Sequence, residues 1–191
     1  LLHVDLEPEP DALIENAAEA IAFFKEWLLP IGCTYLTQKR GISQALAEAQ
    51  LLEHVRICYD TCHFAVEYED PHAVFARFHD AGIQIGKIQL SAALRVGLPR
   101  DTKGRQLISE RLRPFAESTY MHQVIERQAD GSLYHYRDLV TALPHLEQTT
   151  AEEWRTHFHV PIFISDYQLL QSTQDHIVSV LDLLRQNPVC Q

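Results

Sequence analysis

Short apolar runs ending in polar, ligand-type residues alternate along this chain with longer segments whose apolar positions recur every three or four residues. The run Val55-Arg56-Ile57-Cys58-Tyr59-Asp60-Thr61-Cys62-His63 predicts a buried strand that ends in a carboxylate and an imidazole three residues apart. Leu2-His3-Val4-Asp5-Leu6-Glu7 is a second apolar run closing on an acid, and Pro8 and Pro10 forbid the strand from continuing. Ile83 to Ser91 repeats the plan with Gln89 near its end. Thr156 to Phe163 carries His157 and His159, which at period two face one side of a strand. Four strand ends thus bear side chains of ligand type.

Between them the periodicity is helical. Asp11 is placed to cap a run from Ala12 to Leu29 that stops at Pro30 and Gly32, and Asp70-Pro71 opens another that passes through Val74, Phe75 and Phe78 to Gly82. A shorter helix is expected over Gly41 to Gln50, after a loop from Thr37 to Gly41, and a further one from about Ser172 to Arg185. The order β-α-β-α-β predicts parallel strands joined by crossover helices. Thr119 to Gln128 and Leu133 to Leu139 are β-rich segments joined by Ala129-Asp130-Gly131-Ser132, and Asp-Gly supplies the positive φ of a tight hairpin turn. This ribbon, at about 115–140, is expected as an insertion over the loop face, where it brings Tyr120 and His122 to the rim of a site.

The 191 residues, 46% of them hydrophobic, suffice for a substantial core, but a full eight-stranded β/α barrel takes about 250. The chain starts at Leu1, inside an apolar run, and stops at Gln191 where a strand should follow; it is expected to be part of a longer protein. A net charge of −10 argues against a nucleic-acid groove, because such affinity comes from Lys and Arg neutralising phosphates. Lys87, Arg95, Arg100, Lys103, Arg105, Arg111 and Arg113 still offer a local basic patch for a phosphorylated ligand, against the plainer reading of a solvated face. No run of 18 apolar residues and no secretory h-region is visible, so a cytoplasmic protein without a membrane span is expected.

Cys33, Cys58, Cys62 and Cys190 lack the paired spacing of a zinc clip and are expected to be reduced and buried. If the strand through Asp60 is regular, Cys58, Asp60 and Cys62 share a face, which leaves either cysteine open as a soft ligand or nucleophile. Glu9 is taken as a cap-region acid, and Trp27 and Trp154 as packing aromatics. A carboxylate and imidazoles at strand ends are the donor types that Mn, Zn or Fe accept, and carboxylates alone suit Mg.

Glu at one strand end, Asp-x-x-His at the next and a later ligand pair resemble the xylose isomerase-like TIM barrels, which include sugar isomerases, epimerases and the endonuclease IV type of apurinic endonuclease. Five strings are similar to the EboE family, the TIM-barrel proteins of the bacterial ebo metabolite-traffic operon. These are Leu-Glu-Pro-Glu-Pro (6–10), Asp-Thr-Cys-His (60–63), Lys-Ile-Gln-Leu-Ser-Ala-Ala-Leu (87–94), His-Phe-His-Val-Pro-Ile-Phe (157–163) and Leu-Leu-Gln-Ser-Thr-Gln-Asp (169–175). The resemblance spans almost the whole chain.

It implies an α/β fold, a (β/α)8 TIM barrel present as a partial barrel carrying the inserted hairpin. It also implies a divalent metal held by Glu7, Asp60, His63, Gln89, His157 and His159, with Glu7 and His63 as catalytic candidates and His122 peripheral. Gln89 stands where the superfamily has a histidine, and His157-x-His159 where the endonuclease branch has Asp-x-His. The implied activity is isomerisation or epimerisation of a small polyhydroxylated or prenylated metabolite, alongside other ebo-pathway proteins or a second copy. A metabolite-binding barrel without turnover is the alternative, and an endonuclease-like phosphoesterase a further one that the charge disfavours.

Overall fold

A computed structural model of the chain describes residues 2–116 and 119–189. Two sheets share the molecule. Strands β1 (Val4–Leu6), β2 (Val55–Asp60) and β3 (Ile85–Gln89) pair in parallel in the order β1-β2-β3. Strands β4 (Ala92–Gly97), β5 (Val124–Arg127), β6 (Leu133–Tyr136), β7 (Glu153–Val160), β8 (Asp166–Tyr167) and β9 (Leu170–Ser172) form an antiparallel sheet in the order β6-β5-β7-β4-β9-β8.

This architecture overturns the expected TIM barrel: the sheets are separate and neither closes. The parallel winding ends after β3 because only Leu90 and Ser91 separate it from β4. A parallel neighbour needs a crossover of a dozen residues or more, so β4 leaves for the second sheet. There β7, expected as a parallel barrel strand, runs antiparallel between β4 and β5. The Asp130-Gly131 turn, with Gly131 at φ +85°, joins β5 to β6. That ribbon continues the six-stranded sheet through β7.

Most of the helices begin at a residue whose side chain accepts from a first-turn amide. Helix α1 (Ala17–Phe23) is capped by Asn16, whose side chain accepts from the Glu19 amide at 3.1 Å. Asp11, the expected cap, sits instead at φ +62° with its carboxylate 3.1 Å from Arg137 Nε. Beyond α1 a π-helical turn (Phe24–Leu28) leads into α2 (Leu29–Arg40), so the helical path runs past Pro30 and Gly32 to Gly41, at φ +66°. Proline within a helix lacks an N–H and crowds the carbonyl four residues back, and the widened turn ahead of Pro30 absorbs both. At Gly32 a Cβ would stand 2.8 Å from Leu51 Cδ1, so a side chain there would have to displace the Leu51 methyls where α2 packs on α3 (Gln44–His54).

Helix α4 (Thr61–Val66) follows β2 directly, and every residue in it is buried. Helix α5 (Pro71–Asp80) has Asp70 as cap and Gly82, at φ +71°, beyond its end. Then come α6 (Thr102–Leu112), the short α7 (Leu139–Ala142) and α8 (Gln174–Gln186). No helix among the described residues is long and apolar enough to cross a membrane.

Two apolar cores result, one per sheet. Phe24, Ile57, Tyr59, Phe64, Val74 and Phe78 fill the parallel side; Leu94, Val96, Leu112, Val124, Leu146 and Trp154 fill the antiparallel side. Helix α4 is wedged between them: Phe64 stacks on Tyr59 with centroids 4.2 Å apart, while Cys62 and Val66 pack on Ala93 and Ile125. Trp154 is fully buried with its indole N–H donating to Glu126 at 3.0 Å, whereas Trp27 is 61% exposed and packs no core.

Arg155 joins the two halves. From β7 its Nη1 donates to the Ala65 carbonyl of α4 at 2.6 Å, its Nε donates to Glu153 at 2.8 Å, and its guanidinium lies 4.0 Å over the Tyr68 ring. His176 of α8 accepts from the same guanidinium at 3.2 Å, and burial, then the Arg155 charge, hold its pKa well below the ordinary imidazole value. Removing one partner of a buried pair costs about 3 kcal/mol, so Arg155→Met is expected to lower urea-unfolding stability by that amount; a loss of less than about 1 kcal/mol would refute the bolt. Because the His176 pKa is depressed on folding, its contribution is complete above the unfolded value of 6.5 and is lost as pH falls below it. His176→Gln, which keeps an acceptor but cannot protonate, should therefore flatten the acid limb of a stability-against-pH curve. An unchanged limb would assign the loss to other groups.

Candidate functional site

Parallel pairing sets the C-terminal ends of β1, β2 and β3 side by side, and each delivers a polar side chain there. Glu7 follows β1, Asp60 ends β2 and Gln89 ends β3, with Asp60 and Gln89 in register. The Gln89 Nε2 donates to Glu7 Oε1 at 2.5 Å and to Asp60 Oδ2 at 3.0 Å, while Lys87 Nζ donates to Gln89 Oε1 at 2.6 Å. An ammonium only donates and carboxylates only accept, so these contacts agree on the amide's orientation. Gln89 thus clasps two acids and offers its own oxygen to a lysine.

Asp60 is the N-cap of α4. Its Oδ1 accepts from the Cys62 amide at 2.8 Å, the His63 amide at 3.3 Å and the Ser91 hydroxyl at 2.5 Å, leaving Oδ2 turned to Gln89. The Asp-x-x-His spacing therefore spans a helix cap and its first turn, and the expected strand through His63 stops at Asp60. His63 Nδ1 lies 2.9 Å from the Pro8 carbonyl and 3.7 Å from Glu7 Oε1. A carbonyl only accepts, so Nδ1 is the donor here, which in the neutral ring leaves Nε2 as the metal-binding nitrogen.

The other histidines arrive from the antiparallel sheet. Pairing of β7 with β4 matches Thr156 to Leu94 and Val160 to Ala92, so four steps along β7 face two along β4. The surplus bulges at residues 157–159, and bulges re-aim side chains. Ring centroids of His63 and His157 lie 4.7 Å apart, those of His157 and His159 5.4 Å, and those of His63 and His159 6.2 Å. Ligand atoms of Asp60, His63 and His159 lie within 4.8 Å of one another, as do those of Glu9, His63 and His157.

His157 Nδ1 is 3.0 Å from the Gln123 side-chain oxygen. Burial, then the neighbouring His63 and His159 rings, lower its pKa to about 4 against an opposing pull from Asp60. It is therefore a neutral imidazole with a free lone pair near neutral pH.

Beside these groups opens a cavity of about 650 Å³ lined by Glu9, Tyr120, His122, His157, Phe158 and His159 among others. His122 is buried with its ring 4.9 Å from that of Phe158 and its Nδ1 enclosed without a partner. It stands on the cavity wall, apart from the grouped ligand atoms. Of the six expected ligands, Asp60, His63 and His159 share one group of ligand atoms and His157 joins His63 in the neighbouring one with Glu9; Glu7 and Gln89 sit at the edge, bonded to each other. Glu9, taken as a cap-region acid, comes within 4.0 Å of His157 Nδ1. Its signal was the Glu7-x-Glu9 alternation, while nothing local marked Gln123 or Ser91.

Two other sequence candidates resolve differently. Burial, then the Asp60 and Glu9 charges, push the Cys62 thiol well above its ordinary pKa, and burial, then Glu7, raise Cys58 to about 12. Both are neutral thiols, unsuited to nucleophilic attack, while the Cys62 Sγ lies within 4.8 Å of ligand atoms of His157 and His159. Cys33 is buried and free as well, and Cys190 lies outside the described residues. The basic patch loses three of its members, since Arg105 is buried and donates to the carbonyls of Pro99, Leu146 and Thr149, Arg95 pairs with Asp175 at 2.9 Å and Lys87 serves Gln89, while Arg100, Lys103, Arg111 and Arg113 are exposed.

No protein-family model matches the chain, and neither does any curated protein or solved structure.

The Asp60 network makes a stability prediction. Asn caps helices as well as Asp, whereas Ala leaves two amides and a buried hydroxyl without their acceptor, at about 1 to 3 kcal/mol for such orphaned groups. Asp60→Ala is expected to cost about 3 kcal/mol in denaturant unfolding and Asp60→Asn clearly less. Equal losses would mean that the charge matters to folding and the cap does not.

Proposed function

We propose that this chain binds a divalent transition-metal ion through Asp60, His63, His157 and His159 and acts on a small polar metabolite in the adjoining cavity. The observation that carries the reading is a buried Asp60 carboxylate with His63 and His159 within ligand reach and His157 grouped with His63 and Glu9, the Nδ1 atoms of His63 and His157 each facing an oxygen acceptor. Imidazole-rich donor sets suit Zn, Fe or Mn better than Mg, which prefers oxygen ligands and water. A bound ion of this kind would supply Lewis acidity to a substrate oxygen. Glu9, half exposed at the cavity and not clasped by Gln89, is the carboxylate free to accept a proton. The substrate class rests on the resemblance of five strings to the EboE family of metabolite traffic.

A second reading, a metabolite-binding protein without turnover, is favoured by Gln89. Its amide holds Glu7 and Asp60 together, so the two acids are not both free to shuttle protons.

The first reading requires the ion. Zn²⁺ titrated by calorimetry into the chelator-treated chain is expected to bind, and His157→Ala with His159→Ala to weaken that binding at least tenfold. Asp60→Asn should weaken it too while leaving the fold by circular dichroism intact. A Zn²⁺ stoichiometry in the double-histidine variant equal to that of the unaltered chain would sink the site. Should metal bind and activity assays with polyhydroxylated metabolites show ligand protection without conversion, the binding reading replaces the enzymatic one.

A further inference from the structure

A second set of ligand-type side chains lies apart from that pocket. Glu15 precedes α1, Glu67 follows α4 and His135 stands on β6. One oxygen from each carboxylate and one ring nitrogen of the histidine lie within 4.8 Å of one another. Sequence separation between them is large, so the tertiary fold alone has gathered them.

Glu67 is the unusual member. The residue is 6% exposed, and its Oε1 is enclosed without any hydrogen-bond donor. Burying a carboxylate oxygen with no donor is costly, and native interiors rarely leave such an atom unserved. No lysine or arginine among the described residues pairs with Glu15, Glu19 or Glu67, and the guanidiniums nearby are engaged: Arg77 with Glu69 at 3.0 Å and Arg137 with Asp11 at 3.1 Å. Glu15 receives the Asp11 amide on Oε1 at 2.8 Å, leaving Oε2 unused there, and the His135 ring makes no hydrogen bond among the described residues. A cavity of about 130 Å³ lined by Asp11, Glu15, Gln123, His135 and Arg137, with room for an ion and a few waters, opens beside them.

We infer that Glu15, Glu67 and His135 form a site for a divalent cation of the Zn²⁺ or Mn²⁺ class. Two carboxylates and one imidazole are a donor set for such ions, and a cation is what an unserved buried oxygen among uncompensated acids lacks. The three ligands come from the segment before α1, the end of α4 and the outer strand of the β5–β6 ribbon. An ion there ties the ribbon to the parallel half, so the site is structural. It does not rest on the metal proposed at Asp60.

The test uses the full chain carrying His157→Ala and His159→Ala, which disables the other pocket. In that background Zn²⁺ titrated by calorimetry is expected to fill one remaining site, and Glu67→Gln or His135→Ala to weaken it at least tenfold. Gln conserves the volume of Glu and His135 is exposed, so both variants should fold. Zn²⁺ should also slow amide exchange at residues 133–136 at least tenfold, and fail to do so in Glu67→Gln. Absence of Zn²⁺ binding in the double-histidine background, or binding untouched by Glu67→Gln and His135→Ala, overturns the inference. Either result leaves the Asp60 site standing, since that site is judged by loss of binding when His157 and His159 are removed.

Discussion

A carboxylate taken almost wholly out of water must be surrounded by donors, and the demand of Asp60, 1% exposed, organises the centre of this molecule. Its donors come from three places: two amides of α4, the Ser91 hydroxyl beyond β3, and the Gln89 amide. Thr61 adds a crosslink by donating to the Ser91 carbonyl and accepting from the Ser91 amide at 2.8 Å. Satisfying one charge thus locks the turn from β2 into α4 against the turn from β3 into β4. The same lock sets where the parallel sheet ends and the antiparallel one begins.

The position of α4 follows. With its first turn held, the helix sends Phe64 into one core and Cys62 and Val66 toward the other, and Arg155 grips its carbonyl end from β7. His63 rides on that first turn and meets the bulge of β7 across the seam between the sheets. The candidate metal pocket is therefore a product of the junction: neither sheet alone has both the acid and the imidazole pair.

Much of the local structure was legible before any coordinates. The strand from Val55, though not its end, the helix opened by Asp70-Pro71 and the turn at Asp130-Gly131 depend on short-range chemistry: β-branched and aromatic runs, a cap with proline behind it, and glycine at positive φ. Pro30 misled because a π turn ahead of it carried the helix onward, and Asp11 misled because its pairing with Arg137, 126 residues away, is invisible locally. The barrel expectation failed at one place above all. Apolar strands look alike whether they pair parallel or antiparallel, and the two-residue step from β3 to β4 was the feature that decided between them.

Sequence alone determined which side chains end the strands and which donor atoms they offer, because residue type and period are local properties. Tertiary structure decided which of them meet. It set Gln89 between Glu7 and Asp60, brought Glu9 to His157, and buried Glu67 beside Glu15 and His135. Such convergence depends on strand direction, on the β7 bulge and on the burial of α4, all of which arise from contacts between residues distant in the chain. Periodicity carries no record of them.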